Sequence, residues 1–339
     1  MNSEFRQDIS TNDWVLISPK RAGKPNDFRH EPATPDNLPE LSDECPFCEG
    51  RANDTPSIIA SYPAPSKKDK AWQVRVVPNK FNVLEHSSGE MPHEVCDFYC
   101  SLPASGDHEV IITRPHNKPI ALLDIETVEM VIQAYIDRMA ELAQHGDVRY
   151  LHIIQNHGAP AGASLVHPHS QIFTAPFVPE RIQEELNGTR RYYEDHGNCL
   201  YCDIVAYELK QKIRVVFEDS DFLVIVPYAS KTPYQMRILP KNHEAEFDKM
   251  TVSEKASLAK VLKEALARLY VRLNNPSYNY YIHTLPFFSD KQKNSLNYKQ
   301  FYHWHLVIVP RLTKFAGFEL GTEVYVNTVA PEQAAAELK

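Results

Sequence analysis

The residues of this chain best suited to chemistry crowd into one stretch, His167-Pro168-His169-Ser170-Gln171, preceded by Gln155-Asn156-His157-Gly158 and Ala161-Gly162-Ala163-Ser164. On an extended segment, residues two apart face the same way, so His167 can be anchored while His169 offers a ring nitrogen to a ligand. Glycines and small side chains let backbone N–H groups approach a phosphate closely, which bulky side chains would prevent. The chemistry this points to is attack of an imidazole on phosphorus. Taken alone, a His-x-His pair on a strand also serves as a metal site or a satisfied structural pair.

The cysteines narrow that choice. Four of the six stand in two Cys-x-x-Cys knuckles, Cys45-Pro46-Phe47-Cys48 and Cys199-Leu200-Tyr201-Cys202. This spacing presents two thiolates to one tetrahedral metal, and neither knuckle precedes a thioredoxin-like βαβ pattern, so zinc is favoured over a disulfide. Each knuckle needs two further ligands. Cys96 and Cys100 have no counterpart elsewhere in the chain and are expected to be free buried thiols.

The missing ligands emerge when the chain is divided in two. After the first knuckle come Val74–Pro78, Glu109–His116, a helical pattern from Asp124 to Gln144, a strand pattern from Tyr150 to Gln155, and His167-x-His169. After the second come Leu223–Pro227, Met236–His243, a helical pattern from Ser253 to Leu273, a strand pattern from Tyr278 to Thr284, and His303-Trp304-His305. The same elements in the same order predict two equivalent modules, 1–190 and 191–339, meeting near the polar stretch Asn187–Asn198 and sharing one continuous sheet. The expected metal sets are Cys45, Cys48, His116 and His167, and Cys199, Cys202, His243 and His303. Four protein ligands leave no place for a metal-bound water, so two structural zinc ions per chain are expected.

The helices carry the spacing of core elements: Val128, Val131, Ile132, Tyr135, Ile136, Met139 and Leu142 form one stripe, and Leu258, Val261, Leu262, Ala265, Leu269 and Leu273 another. Asp124, and Thr251 or Ser253 ahead of Glu254, are the expected caps. With 339 residues, 43% hydrophobic and 24% charged, the chain is globular, and its formal charge of -8 argues against a nucleic-acid backbone as main partner. No apolar run approaches the roughly 20 residues of a membrane helix, and Met1–Phe5 has no signal-peptide core, so a cytoplasmic location is expected.

These residues resemble a known family. Asn156-x-Gly158, Gly162-x-Ser164 and His167-Pro168-His169-x-Gln171 look like the signature of the galactose-1-phosphate uridylyltransferases, a branch of the histidine-triad superfamily. Asp13–Ala22, Val77-Pro78-Asn79-Lys80-Phe81, and Pro310–Lys314 through Ala316–Glu319 resemble the family's N-terminal segment, uridine-side loop and C-terminal substrate strand. The doubled knuckle and Ala316–Thr322 also look like the related ADP-glucose phosphorylase branch. The resemblance implies an α+β fold of two fused histidine-triad-like modules, with a mostly antiparallel half-barrel sheet and flanking helices.

By the same resemblance, His169 attacks the α-phosphorus of a nucleotide sugar and carries the nucleotide to a second phosphate. The carbonyl of His167 would fix the tautomer of His169, and Gln171 and Ser164 would stabilise the phosphoryl oxygens. Asn79, Asn156 and Gly162 are implied at the nucleotide. Arg21 and Lys24 are implied at a phosphate, partly across a homodimer, and Lys314, Phe318 and Glu319 at the sugar. With no Walker or paired-carboxylate motif, the chemical step is expected to need no metal. His305 matches His169 in the second half but is followed by Leu306-Val307 without a glutamine, so the second half is expected to support rather than react. Substrates are expected to be UDP-glucose or UDP-galactose with a hexose 1-phosphate. The alternative is ADP-glucose with phosphate, or another nucleotide phosphorylase or hydrolase using the same histidine.

Overall fold

The computed structural model describes residues 2–20, 31–35, 37–50, 55–63, 71–85, 94–95, 98–287 and 297–339. In chain order the strands are β1 (Glu4–Gln7), β2 (Trp14–Ile17), β3 (Ala60–Pro63), β4 (Trp72–Pro78), β5 (Glu94–Val95), β6 (Cys100–Ser101), β7 (His108–Thr113), β8 (Tyr150–His157), β9 (His169–Ala175), β10 (Val215–Glu218), β11 (Phe222–Ile225), β12 (Met236–Pro240), β13 (Tyr278–His283), β14 (His305–Pro310) and β15 (Tyr325–Asn327). The helices are α1 (Ile125–Leu142), α2 (Glu180–His196), α3 (Leu200–Gln211), α4 (Val252–Arg272), α5 (Gly317–Thr322) and α6 (Pro331–Leu338).

One ten-stranded sheet runs through both halves in the order β10-β11-β12-β14-β13-β8-β9-β7-β4-β3. Every neighbouring pair in it is antiparallel. The halves meet at β8 and β13, in register from Tyr278 opposite His157 to Ile282 opposite Ile153. The sheet is open, with β10 and β3 at its edges, as a half-barrel requires. A small sheet of β1, β2 and β15 lies apart from it.

The side-chain alternation of the strands decides what each face does. From β8, β9 and β13, Leu151, Ile153, Ile172, Tyr280 and Ile282 enter the main core, which α1 and α4 cover with their apolar stripes. His169, Gln171 and Phe173 occupy alternate positions and so take the opposite face, which α1 and α4 leave uncovered. Both helices start where the sequence says they should. Asp124 accepts from the Thr127 N–H, and Thr251 and Glu254 form a reciprocal capping box. Such caps are each worth about 1 kcal/mol.

Two elements differ from the sequence reading. The segment from Ala316, expected as a strand by resemblance, turns into α5, because the Glu319 carboxylate accepts from the Ala316 N–H and closes a helical first turn. The polar stretch Asn187–Asn198 is mostly the second half of α2, which together with α3 the apolar spacing does not announce. Cys96 lies outside the described residues, and Cys100 opens β6.

Candidate active site and metal-binding groups

β9 begins at His169, and the geometry there sets the reactive nitrogen. Nδ1 of His169 lies 2.9 Å from the carbonyl oxygen of His167. A carbonyl only accepts, so Nδ1 carries the proton and Nε2 keeps a free lone pair. Burial lowers the imidazole's pKa, against the upward pull of that carbonyl, and so favours the neutral, nucleophilic form. The Phe47 ring stands edge-on to His169 at 5.2 Å between centroids. His169, Gln171, Ser164, Asn79 and Phe47 line a single cavity of about 370 Å³, which brings together both ends of the expected nucleotide site.

Behind Gln171 stands a residue the sequence reading passes over. His108 Nε2 is 2.8 Å from Gln171 Oε1 and 2.9 Å from Asn79 Nδ2, and its ring stacks on Phe173 at 3.9 Å. That nitrogen carries either a proton for the Gln171 oxygen or a lone pair for the Asn79 N–H, so it stands between a strand residue and a loop residue and bonds one of them. The only trace in the sequence is alternation: His108 shares a face of β7 with Val110 and Ile112.

Gly158 and Gly162 adopt φ of +82° and +87°, and a Cβ at Gly158 would collide with the Ser277 side chain. These are positions only glycine fills cheaply. Between β8 and β9 they turn the chain so that Ser164 reaches the cavity wall. Asn156 is not part of that wall. It lines an adjoining cavity of about 400 Å³ on the same sheet face, with Arg181, Lys231 and Arg311. Lys314 and Phe318 are exposed and Glu319 is half-buried; none of the three lines either cavity. Arg21 and Lys24 fall outside the described residues.

The knuckles close into two compact donor groups. In the first, Cys45 Sγ and Cys48 Sγ lie 3.5 and 3.6 Å from His167 Nδ1, Cys48 Sγ lies 3.4 Å from His116 Nδ1, and the two Nδ1 atoms are 3.3 Å apart. Zn–S and Zn–N bonds at tetrahedral angles give edges of about 3.6 Å for S to N and about 3.3 Å for N to N. The donors therefore fit a tetrahedral metal. In the second group, Cys199 and Cys202 lie 3.8 and 3.7 Å from His303 Nδ1, and Cys202 lies 3.3 Å from His243 Nδ1. Nε2–H of His167, His243 and His303 donates to the carbonyls of Thr113, Lys299 and Pro240, which turns each Nδ1 inward.

A third group, Glu185, His283 and His305, is also compact enough to hold an ion. Here Glu185 already has partners of its own, while His305 Nε2 makes no hydrogen bond. Glu185 accepts from Tyr201 OH and from His283 Nδ1, each at 2.8 Å, and its other close neighbour is His305 Nε2 at 3.6 Å. Burial pushes this carboxyl up, but His305, His283 and Arg237 hold it below the usual range. His305 repeats the backbone contact of His169, with Nδ1 3.2 Å from the His303 carbonyl. Its Nε2 nevertheless faces a carboxylate inside the protein instead of a cavity. Glu185 and His283 escape sequence inspection because they belong to different elements, α2 and β13.

Known proteins extend this correspondence. Residues 1–179 match the N-terminal domain and residues 185–339 the C-terminal domain of galactose-1-phosphate uridyl transferase. Among curated relatives, ADP-glucose phosphorylase of Arabidopsis thaliana is 35% identical, covering 98% of this chain and 91% of that protein. Galactose-1-phosphate uridylyltransferase of Thermotoga maritima is 29% identical, covering 99% and 98%. The structure of the Arabidopsis thaliana phosphorylase with bound ADP-glucose superposes with a TM-score of 0.81 at 32% identity, covering 99% of this chain and 98% of that one. A uridylyltransferase structure gives 0.72 at 27%, covering 99% and 97%. With both halves matched, the chain belongs to the galactose-1-phosphate uridyl transferase family and is an enzyme of that family.

Proposed function

We propose that this enzyme moves a nucleotidyl group between two phosphates by way of His169. Nε2 of His169 attacks the α-phosphorus of a nucleotide sugar; the P–N bond forms as the P–O bond to the sugar 1-phosphate breaks, and the sugar phosphate leaves with the electron pair. An oxygen of a second phosphate then attacks the same phosphorus and returns the imidazole to its starting state. Gln171 and Ser164 face the oxygens on which charge builds. The observation that carries this reading is a tautomer-fixed imidazole with its free Nε2 in a cavity shared with Gln171 and Ser164.

The leading substrates are UDP-glucose or UDP-galactose with a hexose 1-phosphate, supported by the match of both halves to the uridyl transferase domains. A second reading, release of the nucleotide from ADP-glucose by inorganic phosphate, is favoured by the 35% identity to a protein named ADP-glucose phosphorylase. Modules 1–190 and 191–339, a cytoplasmic location and a homodimer belong to the same proposal. Lys314 and Phe318 are exposed and line neither cavity, so a part for them, and for Glu319 beside them, in sugar recognition calls for a second copy of the chain. Zinc in both four-donor groups, two ions per chain, would brace the turns that enter β9 and β14 and supply no chemistry.

Incubation with UDP-glucose and ADP-glucose, each labelled at the α-phosphorus, tests the proposal. The expected result is an acid-labile label on His169 from UDP-glucose, absent in His169→Ala, with fold and metal content unchanged. Retention of more than about a thousandth of turnover by His169→Ala would overturn the covalent route. Labelling by ADP-glucose alone, with phosphate-dependent release of ADP, would select the second reading.

A further inference from the structure

Asn279 belongs to the second half, on β13, yet its side chain acts on the first. Its Nδ2 is 2.7 Å from Asn156 Oδ1 and 2.8 Å from the carbonyl oxygen of Ala161. The Ala161 carbonyl can only accept, so the Asn279 atom that meets it must be nitrogen, with one hydrogen for each acceptor. The Asn156 atom that meets that same nitrogen must then be oxygen. Both carboxamides are fixed by this one carbonyl, and the Asn156 Nδ2 is left turned toward Gly162, 3.9 Å from where a Cβ would stand there.

That orientation matters because of where Asn156 lies. It pairs with Asn279 across the seam of the two halves. On its other side the β8–β9 ladder ends with Gln155 opposite Ser170, so the next residue of β8, Asn156, stands beside the first residue of β9, His169. Both asparagines line the adjoining cavity with Arg181, Lys231 and Arg311. A phosphate at His169 would therefore meet an amide whose two ends differ in sign: N–H donates to a phosphoryl oxygen, whereas C=O repels it.

We propose that Asn279 is a positioning residue for nucleotidyl transfer, holding the Asn156 carboxamide with its N–H₂ toward the phosphate at His169. The inference rests on the transfer function proposed above. It gives the second half, whose own histidine is sealed, a direct part in the reaction of the first.

Asn279→Asp keeps the shape and removes both hydrogens. Its carboxylate faces Asn156, which must turn its N–H₂ to meet it and so present its oxygen to the phosphate. The expected result is at least tenfold weaker binding of UMP or AMP and a correspondingly slower labelling of His169, with binding of uridine or adenosine unchanged. In an Asn156→Ala background Asn279→Ala, which adds no charge, is expected to do nothing further. A purely structural role would weaken nucleoside and monophosphate alike, and that result, or unchanged monophosphate binding, overturns the proposal. Should Asn279→Asp fail to fold, Asn279→Ala is read by the same ratio, with a loss of about twofold to fivefold expected for the monophosphate alone. Wild-type enzyme that never labels His169 would sink the transfer reading instead, so the two failures are distinct.

Discussion

His169 can be approached from one direction only, since Nδ1 is committed to the His167 carbonyl and Phe47 closes one side. A phosphate bound there would be oriented by the groups around the cavity, and His108 stands between two of them. His108→Phe would keep the stack on Phe173 while removing the nitrogen on which Gln171 and Asn79 converge. A net hydrogen bond is worth about 1 kcal/mol, so the rate of His169 labelling is expected to fall about fivefold with little change in melting temperature. Rapid-quench labelling checks this; an unchanged rate would mean that Gln171 is held by other contacts. His169, Gln171 and the two Cys/His donor groups, which the fold does bring together, are legible in the sequence because type and spacing suffice. His108 and Asn279 are not, because their importance lies in which atom of another side chain they hold.

At the scale of elements, α1 is tied to the catalytic strands by polar contacts inside the core. Arg138 meets Glu109 of β7 through Nε at 2.7 Å and Nη2 at 2.6 Å, with both side chains buried. Burial pushes the Glu109 carboxyl up, and Arg138 counters that push only partly. Arg138→Met would strand the carboxylate and is expected to cost about 3–5 kcal/mol in denaturant unfolding, whereas Glu109→Leu together with Arg138→Met should recover most of it. Equal losses in the single and double variants would show that the pair matters for packing alone. Nearby, Tyr135 of α1 bonds Ser170, and its hydroxyl is 2.6 Å from that of Tyr280 on β13, so the residue between His169 and Gln171 is pinned from both halves. The stripes of α1 and α4 reveal those helices because an apolar face buried at a period of 3.6 leaves a trace in the sequence. α2 leaves less, for its buried face includes Glu185, Gly188 and Thr189 beside Ile182 and Leu186.

Across the whole molecule, the two four-donor groups occupy corresponding places, each joining a knuckle to the residue just ahead of a central strand. Metal analysis is expected to find about two zinc ions per chain, and a strong chelator to lower the melting temperature, because a structural site adds its binding free energy to folding. Cys45→Ser should remove about one equivalent and slow His169 labelling, since His167 is both a donor there and the anchor of His169. Cys199→Ser should remove the other while labelling persists. Metal-free protein, or a melting temperature indifferent to chelation, would overturn the assignment. The repeat order makes this correspondence legible in the sequence, since each half carries one knuckle and one His-x-His. The open edges of the sheet and the placement of α5 arise from tertiary pairing that no local pattern encodes.

The buried contacts of Glu185 bear on how the two halves can diverge. Reviving a reactive imidazole at position 305 would require the loss of the carboxylate, and that loss would deprive the Tyr201 hydroxyl and His283 of their shared acceptor. Each change that moves toward a second reactive centre thus begins by damaging the core, and only several together could be neutral. The asymmetry between the halves would act as a ratchet: freeing His305 takes several changes at once, because Tyr201 and His283 lean on the same carboxylate.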